Sequence, residues 1–110
     1  MIRSFAILKR KPGLTREEYI HHWKEIHAPI AAKVIPGLKK YIQHHPLNMP
    51  GIEFDIDGIA EIWWEDAASL KSYLSWRETD QARVLIEDEQ KFIDMQRTIR
   101  LFAEQVVIVA

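Results

Sequence analysis

Four antiparallel strands and two helical segments in β-α-β-β-α-β order, an α+β fold, are what this sequence leads one to expect, on three observations. Four runs of strand length are rich in Ile, Val, Phe, Tyr and Trp and are bounded by turn-forming residues. Between the first two runs stands a complete helix-start signature, and between the last two Asp66 opens a second helix-length stretch. That order is the split βαβ, or ferredoxin-like, arrangement, with helices on one face of a four-stranded antiparallel sheet. The 110 residues suit a single domain, 1–110, burying roughly 65% of its unfolded surface.

The first strand is residues 2–10, "IRSFAILKR", which stops at the turn Lys11-Pro12-Gly13. Thr15 then serves as N-cap with Glu18 three residues on, a capping box, while Leu14 and Tyr19 are placed to form the hydrophobic staple. Pro29 lacks an N–H and disfavours helical geometry at Ala28, so this helix is expected to end or kink near His27 and resume to Pro36-Gly37. "LKKYIQHHPL" reads as the second strand and "DGIAEIWWE" as the third, with the loop "NMPGIEFD" between them. Asp66 caps a helix over "AASLKSYLSW", Thr79 is placed to cap a further helical stretch to about Asp88, and "RLFAEQVVIVA" closes the sheet as a fourth strand. The sheet face away from the helices would leave Phe5, Ile7, Trp63 or Trp64, and several of Val106 to Val109 exposed on a monomer, so a homodimer packing through that open face is expected.

Composition removes several classes of function. Fifteen basic and sixteen acidic residues, interspersed, give a net charge of −1 and no electrostatic footprint for nucleic acid. No run of eighteen apolar residues is present to span a membrane. The apolar run after Arg3 meets Lys9, Arg10 and Lys11 instead of a small-residue cleavage site, and with no cysteine the expected setting is the cytoplasm. Four glycines, none spaced as G-x-G-x-x-G, speak against a dinucleotide, and no cofactor is expected.

The five histidines all fall within residues 21–45. At about 100° per residue Ile20, Trp23, Ile30 and Val34 form one stripe that includes His27, whereas His21 falls opposite and His22 on the flank. The spacing is not that of a zinc-binding helix, so no metal is expected, and His21 and His22 read as solvated surface. His27 has two readings. It is either a packed residue bonded to the Glu25 carbonyl that Pro29 frees, or a pocket residue. On the second strand Tyr41, Gln43 and His45 share a face; on the third, Asp57, Ile59, Glu61 and Trp63 share one. Glu61 is then either an ion-pair partner of Arg3 or Arg100, or a carboxylate of raised pKa in a pocket near a histidine or tyrosine.

The run "LKRKPGLTREEYIHHWKEIHAPIAAKVIPGLKKYIQHH", then "DGIAEIWWEDAASLKSYLSW" and "KFID", resembles the EthD family. The resemblance is carried by the joint spacing of Trp23-x-x-x-His27-x-Pro29, Pro36-Gly37-x-x-x-Tyr41 and Asp57-Gly58-x-x-Glu61. It implies a dimeric α/β barrel of ferredoxin-like protomers related to methylmuconolactone isomerase and to decarboxylases, dehydratases and cyclases of aromatic or polyketide compounds. It also implies catalytic roles for His27, Tyr41 and Glu61. Trp23, Gln43, His45, Asp57 and Trp63 are the candidate substrate-binding residues. The loop "PLNMPGIEFDID" is shorter than in the isomerase.

The expected function is cofactor-independent acid–base catalysis, of isomerase or lyase type, on a small cyclic, lactone or aromatic compound. His27 would move the proton, Tyr41 would donate to a developing oxyanion, and Glu61 would fix the imidazole or act as a second base. The alternatives are an oxidoreductase or accessory to an oxygenase system, and a non-catalytic ligand-binding dimer.

Overall fold

Leu8 and Asp57 show how the sheet is tied together: the Asp57 amide donates to the Leu8 carbonyl (2.8 Å) just where β1 (Ile2–Leu8) and β3 (Gly58–Trp64) begin to pair. The computed structural model describes residues 1–110. β1 is central, flanked by β3 and by β4 (Ile99–Glu104), and β2 (Lys40–His44) lies outside β3, giving the all-antiparallel order β2-β3-β1-β4. The expected ferredoxin-like arrangement is thus present.

Thr15 accepts from the Glu18 amide (3.1 Å) while Glu18 accepts from the Thr15 amide (2.8 Å), so the capping box starts α1 (Arg16–His21) where expected. The helix does not end at His27. It widens into a π-helical stretch, His22–His27, and continues as α2 (Ala28–Val34) with every junction residue in right-handed helical geometry. The Ala28 amide reaches back five residues to Trp23. Pro29 can neither donate to the carbonyl four residues before it nor tolerate its approach, and a widened turn turns that carbonyl aside.

α3 (Ala67–Trp76) starts on Asp66, which accepts from the Ser69 amide at 2.8 Å. Thr79 does not cap with its side chain; its hydroxyl donates to the Trp76 carbonyl (2.7 Å), and a 3₁₀ turn, Asp80–Ala82, leads into α4 (Arg83–Phe92), which runs past Asp88. β4 stops at Glu104 instead of running to Ala110, because Glu104 pairs with Ile2, the first residue of β1, and no strand residue lies beyond it. Val106 to Val109 are therefore exposed but outside the sheet.

The helices cover the sheet face bearing Ala6, Leu8 and Trp64. One core cluster joins Ala6 and Leu8 to Tyr19, Trp23, Phe92 and Ile93; the other joins Trp64 to Ala31, Ile35, Leu70, Tyr73 and Leu85. Trp64 is fully buried and stacks on Tyr73, with ring centroids 4.7 Å apart, so Trp63 is the tryptophan of the open face. Trp23 can press against the sheet because residue 58 is glycine: a Cβ there would come within 2.6 Å of its ring. No helix is long and apolar enough to cross a membrane.

Candidate functional site

Trp23 and His27 are four residues apart on the inner face of the helix, and both are buried. Across from them β2 presents Tyr41. The Trp23 indole N–H donates to the Tyr41 hydroxyl oxygen (3.1 Å), and the Gln43 amide donates to the same oxygen (3.2 Å) and to the Trp23 carbonyl (3.0 Å). With two donors on its oxygen, the phenol has its own proton left to give. Burial pushes the Tyr41 pKa up, outweighing the hydrogen bonds from Gln43 and Trp23, so the hydroxyl stays protonated.

His27 Nδ1 lies 2.8 Å from Asp88 Oδ2 on α4, not against the Glu25 carbonyl. A carboxylate accepts only, so Nδ1 carries the hydrogen and Nε2 carries the lone pair. Burial lowers the His27 pKa, against the opposing pull of Asp88 and Glu89, and the ring is neutral at pH 7. Asp88 is itself buried, and its other oxygen meets His22 Nε2 at 3.0 Å. His22 is therefore no solvated flank residue: it stacks on Phe92, ring centroids 4.9 Å apart, and holds the far side of the carboxylate. His21 is exposed as expected.

Between these side chains and the sheet is a cavity of about 80 Å³, bordered by Trp23, His27, Tyr41, Arg77, Glu89 and Arg100 over a mostly apolar wall that includes Ala6, Ala60 and Ile62. Arg77 donates twice to Glu89 (2.9 and 2.8 Å) and once to the Tyr73 hydroxyl (3.1 Å). Burial works against the Arg77 charge, but Glu89 and Tyr73 together prevail and the Arg77 pKa is raised. Arg100 Nη2 stands 3.4 Å from Glu89 Oε1 at the cavity's β4 side.

Three of the expected residues, His27, Tyr41 and Trp23, thus border one cavity. Gln43 and His45 stand behind it: His45 Nε2 is 3.0 Å from Gln43 Oε1, and its ring packs 4.6 Å from that of Trp23. Glu61 is not with them. Strand alternation puts it on the open face, 2.8 Å from His44 Nε2 and 2.7 Å from the Trp63 indole nitrogen that donates to it, with Arg3 Nε at 3.7 Å. Burial pushes its pKa up, but His44, Trp63 and Arg3 together bring it down, opposite to the raised value a pocket acid needs. Of its two expected ion partners Arg3 is the one present, while Arg100 faces Glu89 on the other side. Trp63 lies on the open face under the Arg3 guanidinium, 3.5 Å from ring centroid to Cζ. Asp57 accepts from the Arg10 amide (2.7 Å) beside a separate surface groove.

The residue that holds His27 is thus Asp88, which the sequence did not mark as a site residue, nor Arg77 and Glu89, while Arg100 was expected only as a partner of Glu61. A signal was present: Leu85, Asp88, Glu89 and Phe92 share one helical face, and two acids on an apolar stripe call for buried partners.

The sequence matches the EthD domain over residues 11–96. Of the curated proteins, none is detectably similar in sequence. Among solved structures, an ethyl tert-butyl ether D family protein from Bacillus halodurans superposes with a TM-score of 0.75 at 23% identity, covering 96% of this chain and 99% of that one. A dimeric protein of unknown function with a ferredoxin-like fold from Bacteroides fragilis does so with a TM-score of 0.64 at 12% identity, over 94% and 95% of the two chains. An EthD-like protein from Ralstonia eutropha gives 0.67 at 10% identity, over 99% and 96%. At such identities the structural likeness speaks to fold, and membership rests on the domain match, which spans most of the chain; this protein belongs to the EthD family.

Proposed function

We propose that the protein is a cofactor-independent acid–base catalyst of isomerase or lyase type, acting on a small cyclic, lactone or aromatic compound, with His27 as the proton-transfer group and Tyr41 as the oxyanion donor. Family membership speaks to fold more than to chemistry, so the reading stands on the site. The observation that carries it is the pairing of a neutral imidazole, oriented by Asp88, with a hydroxyl whose lone pairs are already taken. His27 Nε2 removes a proton from carbon next to a carbonyl, the electron pair moves onto the carbonyl oxygen, and the Tyr41 O–H donates to that oxygen. The Nε2 proton then returns to another carbon, or a leaving group departs. A preorganised donor in such a site contributes roughly 10²–10³ in rate, and general acid–base action 10²–10⁴. Trp23 forms part of the binding wall, with Gln43 and His45 as its support. Two copies would associate through the open sheet face, where Glu61 and Trp63 serve structure instead of turnover, while Asp57 holds the Arg10 amide beside its own groove; dimeric proteins among the solved structures of like fold support this association.

The test is deuterium incorporation from D₂O into enolisable lactones and cyclic ketones, followed by proton NMR. Exchange above background is expected with the native protein, none with His27→Ala, and about 10²-fold less with Tyr41→Phe. Undiminished exchange in both variants would overturn the reading.

A further inference from the structure

The hydrogen-bonding capacity left on the cavity wall is one-sided. Both Glu89 oxygens are taken by Arg77, and Arg100 stands against one of them. Ser4 Oγ accepts from the Trp64 indole (3.0 Å), and the Tyr41 oxygen accepts twice. What remains free to donate is the O–H of Tyr41, Ser4 and Tyr73 and most of the Arg100 guanidinium, while the Nε2 lone pair of His27 is left to accept. Charge runs the same way. Two guanidinium groups share one carboxylate, leaving one positive charge in excess on the wall. Asp88 does not offset it there, because it lies behind the His27 ring with both oxygens engaged by His27 and His22.

The geometry points to an anionic ligand, a small flat molecule carrying a carboxylate or similar delocalised oxyanion, anchored by Arg100. Arg77 is not the anchor: it is pinned bidentately and its side chain is 15% exposed. Arg100 makes one long contact, keeps 34% of its side chain exposed, and sits on the edge strand β4. Its planar fork matches a carboxylate, and the apolar wall beside it matches a flat hydrocarbon body. This rests on the acid–base reading of the cavity and adds the class of its substrate: the anion at Arg100 would hold the molecule while His27 acts on a carbon nearer Tyr41.

Calorimetric titration of the intact protein with benzoate and with its neutral isostere benzamide tests it. Saturable benzoate binding is expected, with benzamide at least about tenfold weaker. Arg100→Gln should lower benzoate affinity about tenfold, and Arg100→Lys should restore part of it, with thermal melting confirming that both variants are folded. No saturable benzoate binding, equal affinity for the two probes, or unchanged benzoate affinity in Arg100→Gln overturns the anchor. Benzoate binding involves no proton transfer from carbon, so its loss bears on the anchor alone. Lost deuterium exchange with benzoate binding intact bears on the acid–base reading alone.

Discussion

His27 has its pKa pulled down by burial and up by Asp88, and burial wins. The folded protein therefore binds fewer protons at this ring than the unfolded chain does between the depressed folded value and the ordinary 6.5. Acid then favours the unfolded state. Stability is fully present above pH 6.5 and is lost as pH falls through the folded value; melting temperature followed from pH 7.5 to 5 should show that decline, and His27→Gln should flatten it. His45, lowered mainly by partial burial, adds a decline of the same sign that the variant keeps. Asp88→Asn makes a separate prediction. An amide has one oxygen where Asp88 offers two, so either His22 or His27 loses its acceptor. Deuterium exchange should drop on the order of 10²-fold, and urea unfolding should show a loss of about 1–3 kcal/mol. His27 stood out in the sequence because it interrupts an apolar stripe, whereas Asp88, 61 residues away, gained meaning only once α4 packed against that stripe.

Between Thr15 and Val34 the chain makes one long helical run, α1, the π stretch and α2, whose two ends were readable from caps and prolines while its middle was not. Pattern rules treat Pro29 as a break, yet a widened turn keeps the helix continuous and holds Trp23 and His27 on the same inner face. Removing the capping box with Thr15→Ala should cost about 1 kcal/mol in urea denaturation and leave the site's chemistry alone, because the cap is exposed and about three turns before His27. Gly58 on β3 is a sharper case. An alanine methyl there would press on the Trp23 ring and the Tyr19 hydroxyl, so Gly58→Ala should cost roughly 1–3 kcal/mol. It should also lower deuterium exchange, since the displaced indole is the one that donates to Tyr41.

The sheet has one face under helices and one without cover. On the open face Arg3 is buried, yet its Nε and Nη1 have no hydrogen-bond partner; its contacts are Gln105, Glu61 and the Trp63 ring. Around it lie Phe5, Ile7 and Ile59, half-buried, and Leu101, 40% exposed. Apolar surface beside unsatisfied donors is what a second copy would cover. Light scattering should therefore give the mass of a dimer, and Leu101→Glu, which puts a charge on that face beside Phe5, should give a monomer. A native protein that is monomeric at micromolar concentration would count against the open-face interface.

Local chemistry written into the chain was enough for the element order, the capping box, the Asp66 cap and the inward face of the first helix, since each depends on residues within a few positions of one another. It was enough, too, to tie Trp23, His27, Pro29 and Tyr41 to the EthD family. Sheet-face parity was beyond its reach, because alternation says which residues share a side but not which side the helices cover. That choice put Tyr41 toward the helices beside His27 and turned Glu61 away. The partner of His27 was equally out of reach, since the packing of α4 against the first helix brings Asp88 to it from 61 residues along the chain.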